Sequence, residues 1–162
     1  MTRGALAEMR TLLLELRPSA LTEAPLGDLL RHLTEATTGR ARVAVSLAVE
    51  GQRFLPPDVQ VALYRVAQEA LNNIAKHSRA KQASVSLHLR REQVELCISD
   101  DGRGFSPKYV SPDHLGLGIM RERAEAIGAT LRIESRAGHG TEVVVTWRDS
   151  LAETRRHDAT ES

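Results

Sequence analysis

Apolar residues recur along this chain in two rhythms, one of three to four residues and one of two, and the rhythm changes at prolines and glycines. Residues 4–17 carry Leu6, Met9, Leu13 and Leu16 at alternating three- and four-residue steps, which predicts a helix ended by Pro18. That spacing fits the seam of a helix bundle, and it fits equally an amphipathic helix packed on its own domain. Residues 25–38 predict a second helix, with Pro25 in the first turn, Leu26, Leu29, Leu30 and Leu33 facing inward, and Gly39 as its stop. Val43–Val49 alternates as a strand, Pro56-Pro57-Asp58 breaks and caps, and Val59–His77 is the longest helix. Its inward stripe is Val59, Ala62, Leu63, Val66, Ala70, Leu71 and Ile74. Ser84–Leu89 and Gln93–Ser99 read as a hairpin, residues 106–114 as a loop, and Leu117–Ile127 as a helix ended by Gly128. Thr130–Ser135 and Thr141–Trp147 read as strands joined around Gly138-His139-Gly140, and the polar stretch 149–162 as a fraying tail. The order predicts a two-layer α/β (α+β) sandwich, a mixed and mostly antiparallel sheet with helices on one face.

Composition narrows what such a sandwich could serve. The 22 Lys and Arg balance 21 acids, so nothing electrostatic favours nucleic acid or an anionic membrane. Aromatics at 3% leave the core aliphatic and weigh against base-stacking platforms for single strands. Cys97 is the single cysteine, which excludes an internal disulfide and a cysteine zinc site and fits a reducing cytoplasm. No apolar run approaches the roughly 20 residues that cross a bilayer.

Candidate chemistry concentrates in four ordered stretches. The strand ending at Ser99 delivers Asp100 and Asp101 into Gly102-Arg103-Gly104-Phe105, where glycines allow a tight turn and close approach of a flat ligand. Taken singly, Asp-Gly serves a plain hairpin as well. The long helix carries Glu69, Asn73 and Lys76 (or His77) at helical spacing, a carboxylate, an amide oxygen and a cation on one stripe. Such a set suits a magnesium-phosphate group, although a solvated face has the same look. Asn72-Asn73 in mid-helix is unexpected there, since asparagine is a mediocre helix former. Gly116 and Gly118 flank the start of the predicted helix, where free N–H groups suit phosphate, and Gly138-His139-Gly140-Thr141 suits a hairpin turn.

In this order the stretches resemble a known family. Gln68-Glu69-Ala70-Leu71-Asn72-Asn73-Ile74-Ala75-Lys76-His77-Ser78 resembles the N box of two-component sensor histidine kinases, and Asp100-Asp101-Gly102-Arg103-Gly104-Phe105 resembles their first glycine box. The run from His114 to Ala124 resembles the second, in the form used by the nitrate/nitrite-sensor branch. The resemblance covers residues 4–147. It implies the Bergerat-type ATP-binding fold of gyrase, Hsp90, histidine kinases and MutL, with ATP and Mg2+ as cofactors. It further implies that Asp100 takes the adenine amino group, with Thr141 nearby through water, and that Asn73 holds the metal. Glu69 is then the catalytic polar group beside the transferring phosphoryl, and Lys76 and His77 contact the phosphate side. Gly102, Gly104 and Gly116 shape the walls and a lid at 106–115, while Asp101 and Gly118 receive no role.

The resemblance also implies a domain plan: residues 1–20 as the second helix of a dimerisation bundle, 21–148 as the catalytic ATP-binding domain, and 149–162 as the tail. None of His32, His77, His88, His114, His139 and His157 has the setting of the family's phosphoacceptor. The expected enzyme is therefore an ATP-dependent protein histidine kinase part, inactive in autophosphorylation by itself. Its expected partners are a phosphoacceptor bundle helix, a response regulator, and a second copy held weakly through residues 4–17. The expected place is the cytoplasm, without nucleic acid or a membrane segment, though parent kinases are often membrane-anchored. An ATP-binding module without kinase activity and a serine kinase of the anti-sigma-factor type stand as alternatives.

Overall fold

The computed structural model describes residues 4–6, 9, 18–104 and 115–151. Most of the predicted helix 4–17, including Leu13 and Leu16, lies outside those residues, as do the loop 106–114 and the tail from 152. After a short 3-10 helix at Pro18–Thr22 come α1 (Leu26–Ala41), β1 (Ala44–Glu50) and α2 (Pro57–Asn73), the last extended by a π-helical turn at Ile74–Ser78. β2 (Gln82–Leu89), β3 (Gln93–Asp100), α3 (Leu115–Ala126), β4 (Thr130–Arg136) and β5 (Gly140–Arg148) follow.

The five strands form one open sheet in the order β1-β2-β3-β5-β4. β1 and β2 run parallel because α2 is the crossover between them, and the remaining pairs are antiparallel. Strict alternation sorts the two faces. Ala83, Val85, Leu87, Val94, Leu96, Ile98, Val143, Val145 and Trp147 are buried on one face. Ser84, Ser86, His88, Cys97 and Ser99 occupy the other, which no helix covers among the described residues, and Ser84 and Ser99 share a 2.7 Å hydroxyl contact there. α1 lies over β1, α2 over β3 and α3 over β4, so the two-layer sandwich with helices on one face holds.

Helix α2 is the keystone of the apolar layer. The whole stripe expected of it, from Val59 to Ile74, is buried, together with Tyr64 and Ala67. Its buried Gln60 reaches the carbonyls of Leu21 and Ala24 at 2.7 Å each, which ties the 3-10 helix to the core. Several boundaries differ from expectation for local reasons. Gly39 does not stop α1; its missing side chain leaves room for the backbone at Gly4, and the helix ends where Arg42 turns left-handed at φ 55°. Asp58 makes no capping bond: Pro56 holds the cap position, and Asp58 sits in the first turn, where its charge meets the positive helix end. The α-helical part of the long helix stops at Asn73 rather than His77, and the wider π turn carries the chain on to Arg79. Asp149, expected in the fraying tail, is held by Arg53 at 2.9 Å.

That ion pair closes the sheet at the end opposite Asp100. The Arg53 guanidinium also donates to the Arg91 carbonyl at 2.6 Å and lies 5.1 Å from the Trp147 ring centre. Both partners are largely shielded, with side-chain exposures of 14% and 22% for Arg53 and Asp149. Arg53→Ala should therefore lower the unfolding free energy by about 2 kcal/mol, the scale of hydrogen bonds to a charged group. Urea unfolding checks it: the midpoint should fall with an unchanged slope, and a midpoint equal to wild type would refute a structural role for the pair.

Candidate functional site

The site begins where β3 runs out. Register sets Asp100 opposite Thr141 of β5 and opposite Ala83 of β2, so the carboxylate emerges between two strands. Its Oδ1 accepts the Gly102 N–H at 2.8 Å. Burial nevertheless pushes the Asp100 carboxyl above the usual carboxylate range, against the opposing pull of that N–H, and the neighbouring Asp101 charge adds to the rise.

Asp101 behaves in the opposite way. Its Oδ1 accepts the backbone N–H groups of Gln82 at 3.0 Å and Lys81 at 2.9 Å, which hold its carboxyl below the ordinary value. Its own N–H donates to the Gln82 carbonyl at 3.2 Å. One residue on from a strand-end carboxylate, the side chain points the other way and pins the start of β2. Of the adjacent pair, Asp100 alone faces the cavity.

The glycines after Asp100 make a clasp with the β4–β5 turn. Gly104 has φ +60°, and a Cβ there would run into the carbonyl oxygens of Arg136 and Gly140. Gly140 has φ +85°, and a Cβ there would strike the Asp100 carbonyl. The Gly138 N–H donates to the Arg103 carbonyl between them. In sequence Gly140 reads as a turn residue of the fourth ordered stretch, without a role of its own; its position just before Thr141 was the available signal.

The facing wall comes from α2 and α3. A cavity of about 380 Å³ is lined by Ala70, Asn73, Ile74 and His77 on one side and by Asp100, Arg103, Gly104 and Thr141 on the other. Ile98, Val143, Leu117 and Met120 give it apolar surface. Size and lining, apolar with a few convergent polar groups, are those of a small-molecule site. Gly116 lies within the first turn of α3 rather than before the helix. A Cβ on it would stand 2.9 Å from Glu69 Oε2 and 3.3 Å from both Asn73 side-chain polar atoms. Glu69 and Asn73 are thus brought together under the start of α3, whose first N–H groups lack intrahelical acceptors. Gly118 has open space where a Cβ would go, so nothing there demands a glycine.

Other expected residues fall as follows. Gly102 is buried in the turn; Lys76 is exposed and does not line the cavity, whereas His77 does. The second asparagine of the mid-helix pair is explained elsewhere: Asn72 Oδ1 accepts from Arg40 Nη2 at 3.0 Å and fastens α1 to α2. Among the described residues no three His, Cys, Asp or Glu side chains gather as a metal site.

The raised Asp100 carboxyl has a consequence for stability without ligand. A carboxyl whose folded pKa exceeds its unfolded value imposes no cost below the unfolded value, about 3.9, and its full cost above the folded one. Asp100→Asn removes that cost and keeps an oxygen for the Gly102 N–H. It should melt higher than wild type at pH 7, with the gain shrinking as pH falls toward 4. A variant less stable at pH 7 would show that the carboxylate is favourably held.

Residues 58–151 match the family of histidine kinase-, DNA gyrase B-, and HSP90-like ATPases. The sensor histidine kinase LiaS of Bacillus subtilis is 33% identical over 138 residues, 85% of this chain and 38% of that protein. The sensor protein VraS of Staphylococcus aureus is 35% identical over 146 residues, 90% of this chain and 42% of that protein. The chain therefore spans less than half the length of these relatives. In fold it is similar to the histidine kinase domain of a blue-light activated histidine kinase from Erythrobacter litoralis, with a TM-score of 0.66 and 23% identity over 95% of this chain and 78% of that one. The glycine clasp, the cavity and the sequence match agree: the chain belongs to the histidine kinase-, DNA gyrase B-, and HSP90-like ATPase family.

Proposed function

We propose that this domain transfers the γ-phosphoryl group of ATP to a histidine on a bundle helix, for relay to a response regulator. The observation that carries the reading is the convergence of Asp100 and Asn73 on one cavity from opposite walls, with Glu69 beside Asn73 under Gly116. Asp100 accepts from the adenine amino group, and Thr141 assists through water. Leu117, Met120, Ile98 and Val143 take the ring faces. Glu69 lies beside the transferring phosphoryl as the catalytic polar group, with His77 and the exposed Lys76 on the phosphate side. Gly102 and Gly104 keep the turn close to the base, and Gly116 brings helix N–H groups toward the phosphates. Catalysis in such a site is positioning and charge stabilisation.

The donor set fits Mg2+. Asn73 offers one neutral oxygen with Glu69 adjacent, and magnesium is commonly held by few protein groups together with phosphate oxygens and water. When bound, the ion neutralises phosphate charge. Residues 1–20 are read as the second bundle helix, 21–148 as the catalytic domain and 149–162 as a tail. Leu6 and Met9, exposed at 42% and 50%, support weak self-association through residues 4–17. The sequence from His114 to Ala124 supports the nitrate/nitrite-sensor-like branch. No helix of the described residues is long and apolar enough to cross a membrane.

Mg-ATP should raise the melting temperature, since a ligand at a hundredfold excess over its dissociation constant stabilises by about 2.7 kcal/mol. Asn73→Ala should erase the magnesium dependence of that shift, whereas a shift insensitive to magnesium already in wild type would remove Asn73 from the metal. Phosphoryl transfer is tested with radiolabelled ATP. The chain alone should acquire no acid-labile phosphate, and a supplied bundle helix with its histidine should acquire it. Transfer only to an anti-anti-sigma-type acceptor would favour the serine kinase, and transfer to neither the pure binding module.

A further inference from the structure

We propose that Ser135, on the far side of β5 from Asp100, is a positioning residue that fixes the Thr141 hydroxyl as a hydrogen-bond acceptor toward the base end of the cavity. The proposal rests on the reading that this cavity takes ATP. Register places Thr141 between two neighbours, Asp100 of β3 and Ser135 of β4. Ser135 Oγ and Thr141 Oγ1 are 2.8 Å apart, and the Ser135 hydroxyl also donates to the Gly140 carbonyl at 3.3 Å.

Each hydroxyl has one proton and two lone pairs. The Gly140 carbonyl can only accept, so when both contacts are made as hydrogen bonds the Ser135 proton goes to Gly140 and the proton between the two side chains is that of Thr141. Thr141 Oγ1, which lines the cavity, then turns only lone pairs toward it. Beside the Asp100 carboxylate, that makes two adjacent acceptors at the base end. Such a pair suits a purine with an amino group at its sixth position, directly or through a water that donates to Thr141. A purine with a carbonyl there meets lone pairs on both sides. Ser135 thereby adds to base selection without touching the base. The left-handed Gly140 is part of the device, because it presents its carbonyl to Ser135 while its lack of a side chain lets β5 close on Asp100.

The test compares the affinities of ATP and inosine triphosphate, which differ at that position of the ring, for wild type and variants by competitive displacement of a fluorescent nucleotide. Ser135→Ala frees the Thr141 hydroxyl to donate, and the ATP preference should fall about fivefold, the value of one net hydrogen bond. Ser135→Thr keeps a hydroxyl and should keep the preference. In a Thr141→Val background, Ser135→Ala should change the preference no further, the non-additivity of two groups acting as one. Equal weakening of both nucleotides by Ser135→Ala, with the ratio unchanged, would overturn the proposal and leave Ser135 a structural strand residue. Wild-type protein that binds neither nucleotide would instead overturn the ATP reading itself, and this inference with it.

Discussion

The close approach of the β4–β5 turn to the end of β3 is the constraint on which the site depends. Backbone must pass backbone at a distance that a single Cβ would forbid, and Gly104 and Gly140 meet that demand from opposite sides. Both adopt left-handed conformations that cost other residues about 1 kcal/mol or more. Because of this clasp, Asp100 is squeezed between strands and partly withdrawn from water, and the same desolvation raises its carboxyl. The ionised Asp100 therefore opposes folding in the direction that its raised carboxyl indicates.

Two carboxylates in succession divide the work that this geometry creates. Asp101 accepts two N–H groups at the start of β2 and secures the strand that flanks Asp100. Asp100 keeps one backbone donor and a face toward the cavity. The ionisation of each follows from its partners: two backbone N–H bonds at the surface favour the charged form, while one bond in a half-buried setting does not offset desolvation.

Helix α2 couples the core to the chemistry. Its apolar stripe is buried along its whole length, and the same helix carries Asn73 to the cavity, with Glu69 beside Gly116 rather than in the cavity lining. Those two polar groups meet the first turn of α3 through Gly116, where the smallest side chain sets how near the helices come. Any movement of that turn changes what covers Glu69 and Asn73. Arg53, Asp149 and Trp147 stiffen the opposite end of the sheet, so the described fold is anchored away from the site.

Periodicity and punctuation were enough to read the layers of this protein. The alternation in β2, β3 and β5 and the three- to four-residue stripe of α2 state which residues are apolar on one side, and burial followed that pattern because those two periods are properties of strand and helix themselves. The ordered motifs at Glu69–His77, Asp100–Gly104, Gly116 and Thr141 were also legible, since each needs particular residue types within a short span. Between like neighbours the resemblance named Asp100 and Asn73 and left Asp101 without a role, but the linear chain held no physical reason for the choice. Asp100 against Asp101, Asn73 against Asn72, and His77 against Lys76 were separated by long-range partners: the start of β2, Arg40 on α1, and the cavity itself. Helix ends went the same way. Gly39 looks like a stop in sequence, yet it is passed through because another segment needs the space. The importance of Gly140 and the Ser135–Thr141 pair appeared only with the tertiary structure, because a close approach between strands depends on register, and register is settled by the whole sheet.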